Sequence, residues 1–152
     1  MKVLLDTNVL ARSGQPRHPQ YHAAVSAVEI LVLKGNQLCA TPQVFYEFWS
    51  IATRPVGENG LGMSVQDAYV RLRELQNALE VLHDLPTLLE VWSQLALRYE
   101  VKGKSSHDAR LVAAMSTHGV SALLTFNKQD FLRYPGLKVL TPEEVLTSSS
   151  QP

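Results

Sequence analysis

Val3-Leu4-Leu5-Asp6-Thr7-Asn8-Val9-Leu10 stands almost at the start of the chain, and its reading decides the fold. Three successive apolar side chains without polar alternation mark a strand covered on both faces, as in parallel sheets. The strand stops at Asp6-Thr7-Asn8, whose side chains suit a helix N-terminus, so a helix is expected to start where the strand ends. The same unit recurs. Leu38-Cys39-Ala40 runs into Thr41-Pro42, which puts proline at the first position of a helix reaching about Thr53. Glu80 to His83, Ala122-Leu123-Leu124-Thr125 and Lys138-Val139-Leu140 read as further short strands.

Helices are expected over about residues 19–34, stopped by Gly35-Asn36, and from the capping pattern Ser64-Val65-Gln66-Asp67 to Ala78. Another carries Leu88, Trp92, Leu95 and Tyr99 on one stripe. A further helix runs from about His107 to His118 and is closed by Gly119. Residues 54–63, with Pro55 and three glycines, are an irregular loop. Thr141-Pro142-Glu143-Glu144 opens a terminal turn, and residues 148–152 read as a frayed polar tail. Strands alternating with helices make this an α/β chain with a mostly parallel sheet of about four to five short strands. Such sheets place their chemistry outside the carboxyl ends of the strands, where Asp6, Thr41 and Thr125-Phe126-Asn127 all fall.

The 152 residues suit one domain over residues 1–147, and 45% hydrophobic with 18% charged composition excludes a disordered chain. With 14 Lys+Arg against 14 Asp+Glu the net charge is zero, which excludes a polybasic binder acting by bulk electrostatics. Cys39 is the single cysteine, so neither an internal disulfide nor a Cys-x-x-Cys knuckle can form. No apolar run matches a signal peptide or a bilayer span, and a soluble cytoplasmic protein without a membrane partner is expected.

The informative residues are acids in apolar settings. Asp108 shares a helix face with Leu111, Val112 and Met115. A first-turn position by itself gives an acid about 0.3–1 kcal/mol from the helix dipole. That is less than the several kcal/mol that stripping water from a lone carboxylate costs. Glu47 borders the face formed by Val44, Phe48 and Ile51, where it could also snorkel to Arg54. Asp6 ends the first strand, and Asp130 lies between a strand end and a short helix. Clustered carboxylates repel, and hard divalent cations with oxygen ligands satisfy them best. Mg²⁺ held by one or two carboxylates and by substrate phosphate oxygens is the arrangement of metal-assisted phosphodiester hydrolysis. No His or Cys set has zinc-ligand spacing, and no nucleophile elbow or glycine-rich phosphate loop is present.

Four blocks carry a resemblance: Leu4 to Leu10, Glu47 within its helix, His107-Asp108-Ala109-Arg110-Leu111-Val112-Ala113-Ala114, and Leu124 to Phe131. In this order and spacing the chain resembles PIN-domain proteins, most closely the small VapC-like toxins of toxin–antitoxin pairs, from residue 2 to about 145. The resemblance implies a three-layer α/β/α sandwich and a Mg²⁺- or Mn²⁺-dependent endoribonuclease. It also implies an RNA substrate, a cognate antitoxin and a homodimer. Carried over by position, Asp6, Glu47 and Asp108 match the three main acids, with Asp6 and Asp108 as metal ligands. Glu47 then completes the site or orients water, and Thr7 and Asn8 position Asp6. Where many members carry a fourth acid this chain has Asn127, with Asp130 three residues on, so Asp130 joins the catalytic set and Thr125 and Asn127 support it. Lys104, His107, Arg110 and Lys128 are candidates for substrate contact. The 54–63 loop and the helix after it resemble an insertion that shapes the groove or a dimer contact.

Two other readings compete. A neutral Asn127 would suit a PIN-like domain that binds RNA or protein without cutting. An aspartyl-nucleophile phosphatase needs a second acid two residues after the first, and that position is Asn8. The zero net charge also conceals local polarity: residues 98–138 hold seven Lys+Arg against three Asp+Glu. With a metal on its acids, that stretch is expected to give the site a cationic rim.

Overall fold

Val3, Leu4 and Leu5 are all but fully buried, and they form the central strand of a five-stranded sheet. The structure, a computed structural model, describes residues 1–150. The strands are β1 (Lys2–Leu5), β2 (Gln37–Ala40), β3 (Glu80–Val81), β4 (Ala122–Leu124) and β5 (Lys138–Leu140), ordered β3-β2-β1-β4-β5. Every pairing is parallel. Such a sheet must be covered on both faces, which explains the uninterrupted apolar runs.

The helices are α1 (Thr7–Ser13), α2 (Tyr21–Leu33), α3 (Pro42–Thr53), α4 (Val65–Ala78), α5 (Leu88–Arg98), α6 (Ser105–Thr117) and α7 (Pro142–Ser149). One packed group contains α1–α4 and α7, because α1 touches α2 and α3, α2 touches α7, and α3 touches α4. The other is the α5–α6 pair. Right-handed crossovers require this division: the chain moves from β1 outward to β3, then returns to the other side of β1. The strand order therefore reverses between β1 and β4, beyond whose carboxyl ends α/β sheets keep their sites.

Three segments differ from the sequence reading. Residues 148–149 belong to α7 rather than to a frayed tail. Thr141 and Glu144 form a reciprocal capping box, Pro142 is at N1, and the Ser148 and Ser149 hydroxyls donate to the Val145 carbonyl. Residues 151 and 152 of the expected tail lie outside the described residues. The third strand has only two residues, since its partner β2 ends at Ala40, where Thr41-Pro42 starts α3. Helix α6 starts at Ser105, a half-turn earlier than expected.

Gly119 does close α6, at φ +65. Its N–H donates to the Ser116 carbonyl and that of Val120 to Met115, a Schellman closure that favours glycine. Helix α5 makes the same closure, Glu100 N–H to Leu97 and Val101 N–H to Ala96, with Glu100 at φ +50. A left-handed non-glycine residue costs about 1–2 kcal/mol, part of which a glycine gives back as unfolded-state entropy. Glu100→Gly should therefore stabilise the chain by roughly 0.5–1 kcal/mol. In urea unfolding the midpoint should rise at constant m-value.

Candidate active site

Register places the first acid. Leu5 pairs with Leu124, and the Asp6 N–H continues the ladder to the Leu124 carbonyl at 3.0 Å. Asp6 and Thr125 thus leave the sheet side by side. The Thr125 hydroxyl donates to Asp6 Oδ2 at 2.6 Å, Asn8 Nδ2 donates to the same oxygen at 3.2 Å, and the Thr7 N–H donates to Oδ1 at 2.8 Å. Asp6 is also the N-cap of α1. Asn8 is committed at both ends: its Nδ2 also donates to the Thr125 hydroxyl, and its Oδ1 accepts from the Phe126 N–H. No acid occupies that position, which leaves an aspartyl phosphatase without its second carboxyl group.

Glu47 arrives about a turn and a half into α3. The Thr7 hydroxyl donates to its Oε2 at 2.7 Å and Gln43 Nε2 to its Oε1 at 2.9 Å, so it does not pair with Arg54. Gln43 is buried, and the sequence reading did not single it out. Its amide also donates to the His107 carbonyl, tying α3 to the first turn of α6, and its Oε1 accepts from Arg110. A Gln and a Glu four residues apart on one helix face are the signal that could have found it. Asp108 projects from that first turn into the same cleft, half-buried, and accepts no hydrogen bond among the described residues.

The cleft is about 480 Å³ and is lined by Asp6, Thr7, Asn8, Glu47, Asp108 and Asn127, with Arg12, Ser50, Arg54 and Asn59 opposite in charge or neutral. The structure therefore gathers three of the four sequence-selected acids in one cavity. Asp130 is exposed, yet its charge acts on both Asp6 and Asp108. The Asn127 N–H donates to the Thr125 hydroxyl. Loop residues 54 and 59 do shape the cleft.

Of the candidate substrate contacts, His107 and Arg110 line a pocket with Gln43 and Glu47 beside the cleft, while none of the four lines the acid cleft itself. Lys128 pairs with Glu144 at 2.5 Å, and Arg110 with Asp84 at 2.6 Å. Lys104 and His107 are exposed at the start of α6. The cations on the cleft wall are Arg12 and Arg54, neither of them from the basic 98–138 stretch.

Burial raises the Asp6 carboxyl above its ordinary range, opposed by the Thr125 and Thr7 hydrogen bonds and reinforced by Glu47 and Asp130. Burial also pushes Asp108 up, to about 6, helped by the charges of Asp130, Asp6 and Glu47. Among the described residues, no three His, Cys, Asp or Glu side chains converge as a ready-made metal cage. Asp6 and Asp108 nonetheless fit a hard cation. They offer oxygen donors only, their charge is poorly solvated, and Mg²⁺ needs no more than one or two carboxylates.

Residues 3–137 match the PIN domain family model, and the chain belongs to that family. Several solved structures share its fold. In a toxin–antitoxin complex from Klebsiella pneumoniae the similar chain is 23% identical, with a TM-score of 0.65 over 92% of this chain and 97% of that one. VapBC2 from Rickettsia felis, bound to a DNA fragment from its promoter, is 18% identical with a TM-score of 0.67, covering 93% and 98%. Mycobacterium tuberculosis VapC20, described as a Sarcin–Ricin loop cleaving toxin, is 19% identical with a TM-score of 0.59, covering 80% and 86%. No curated protein sequence matches the chain.

The raised acids set a pH dependence. Between its ordinary 3.8 and about 6, Asp108 holds its proton in the folded chain and loses it in the unfolded one. The folded state then binds more protons, so metal-free stability falls as pH rises through this window, by roughly 1–2 kcal/mol after solvent screening. Asp6 acts in the same direction. Urea unfolding in EDTA should show this slope, and Asp108→Asn should flatten it.

Proposed function

We propose that the chain is a Mg²⁺- or Mn²⁺-dependent endoribonuclease and the toxin of a toxin–antitoxin pair. The observation that carries this reading is the convergence of Asp6, Glu47 and Asp108 in one cleft at the switch point of a PIN fold. The toxin–antitoxin assemblies and the Sarcin–Ricin loop cleaving toxin among the structures that share the fold support it. A cognate antitoxin and a second copy of the chain are the protein partners we assign. Among the described residues no helix is long and apolar enough to cross a membrane.

Asp6 and Asp108 would hold the cation, which when bound activates water and offsets charge developing on the phosphate. The protein's part is orientation. Thr125, Asn8 and the Thr7 N–H fix both oxygens of Asp6, so its carboxylate loses little freedom on binding. Neutral groups, Thr7 and Gln43, hold the Glu47 carboxylate beside them. It is the group placed to accept a proton from the attacking water. Asp108, with no donor of its own, is the carboxylate freest to take a ligand. Asp130 adds negative charge from outside the cavity, in place of the family acid that is Asn127 here.

Asp6→Ala and Asp108→Ala should each lower the cleavage of single-stranded RNA with Mn²⁺ by about 100-fold or more, the scale on which positioned electrostatic groups act. Thermal unfolding supplies a second readout. Mn²⁺ should raise the melting temperature of the parent chain and leave Asp108→Ala almost unmoved. Wild-type cleavage by either variant would sink the assignment.

A further inference from the structure

The acid cleft has a second wall. Arg12 and Arg54 line the same cavity as Asp6, Glu47 and Asp108, yet no ion pair among the described residues joins either arginine to any of these acids. Arg12 is held instead by neutral acceptors, through Nε to Gln20 Oε1 at 3.1 Å and through a terminal nitrogen to Gln15 Oε1 at 2.8 Å. Its other terminal nitrogen has no hydrogen bond among the described residues. Arg54 goes further: its Nε is buried and has no hydrogen-bond partner among the described residues. Leaving a buried donor unsatisfied costs about 1–3 kcal/mol, more when the group is charged.

The placement of Arg54 is imposed by the 54–63 loop. The Leu61, Gly62 and Met63 N–H groups donate to the Ile51, Arg54 and Ala52 carbonyls at 2.8–2.9 Å, folding the loop back on the end of α3. The turn needs glycine at residue 60, because a Cβ there would stand 1.9 Å from the Arg54 carbonyl oxygen. Asn59, at φ 60, adopts the left-handed region at the same bend. The loop therefore locks the backbone of Arg54 against the cleft.

We propose that Arg12 and Arg54 form a phosphate-binding wall that grips a phosphodiester of a single RNA strand lying in the cleft. The inference rests on the ribonuclease reading and adds the residues that hold the strand. A guanidinium donates readily to phosphate oxygens, and two guanidinium charges left without an ion pair beside a cation-seeking acid cluster define a site for a polyanion. Gln15 and Gln20 orient Arg12 without consuming its charge.

The test uses the full chain carrying Asp108→Asn to prevent cleavage, with a fluorescein-labelled single-stranded RNA decamer followed by anisotropy across a KCl series. Arg12→Gln and Arg54→Gln should each weaken binding about tenfold. Each should also reduce the log K against log salt slope by about 0.7, one phosphate contact on a single strand. Arg54→Lys should keep the slope while losing part of the affinity. In the otherwise wild-type chain the Gln variants should raise KM with kcat nearly unchanged, since the grip is equal in ground and transition states.

Parental affinity and slope in both Gln variants, with circular dichroism showing a folded chain, would overturn the proposal. So would an Arg54→Lys variant that loses slope as Gln does, because that marks a structural role. If Arg54→Gln does not fold, Arg12→Gln and Arg54→Lys decide the matter. Displacement of the decamer by low-millimolar inorganic phosphate would overturn the strand assignment in favour of a free-phosphate site. Failure of the wild-type chain to cleave RNA would remove the nuclease reading alone, since binding is read separately. Cleavage with unchanged slopes would remove the arginine wall alone.

Discussion

The 2.6 Å hydrogen bond from the Thr125 hydroxyl to Asp6 Oδ2 joins the ends of two parallel strands, and the cleft is organised around it. It exists because Leu5 and Leu124 are in register and the strands stop together. On one side Asp6 caps α1, whose first residue passes a hydroxyl to Glu47 on α3. On the other, Thr125 accepts from the Asn127 N–H and the Asn8 amide. One carboxylate is thus both the start of a helix and the floor of the site. A slip of one residue in the β1–β4 register would turn Thr125 from Asp6 and reverse which side chains face the core.

Much of this was legible in the sequence because the signals were local. The Val3-Leu4-Leu5 run is all core, and a polar capping residue directly after it can only sit at the strand's carboxyl end. Asp108 stood out because it shares a helix face with Leu111, Val112 and Met115, all buried. What stayed hidden depends on contacts between distant segments. Gln43 reads as an ordinary helix residue until α6 brings the His107 carbonyl and Arg110 to it. Basic residues are densest in sequence over residues 98–138, which is where sequence alone puts a cationic rim. Arg110 and Lys128 from that stretch are instead tied to Asp84 and Glu144. Arg12 and Arg54 reach the cleft from a segment whose charge count gives no hint of it. Charge density along a chain does not survive folding as charge density in space.

The tail follows the same logic in reverse. Serines read as a fraying end, since each alone disfavours a helix interior. Cooperativity in α7 outweighs this. Thr141 and Glu144 satisfy each other's backbone N–H groups, and α7 packs on α2, so the turn the sequence suggested propagates into a helix.

The cleft orients its charges without cancelling them. Glu47 is held by a threonine and a glutamine, Arg12 by two glutamines, and Asp6 by a threonine, an asparagine and a backbone amide. Each partner is neutral. The ion pairs closest to the site, Arg110–Asp84 and Lys128–Glu144, lie at its margins. Had Arg54 paired with Glu47, the side chains would be equally fixed, but the negative field that attracts a cation would fall and the guanidinium would be unavailable to phosphate. Neutral partners give less stabilisation per bond than ionic ones, and burial, with like charges left together, raises Asp6 and Asp108. On the proposed reading, that standing cost would be offset when a cation arrives on the acids and an anion on the arginines. On that reading, such a cleft would bind a metal and a phosphate more favourably together than either alone, because each would relieve the field that opposes the other.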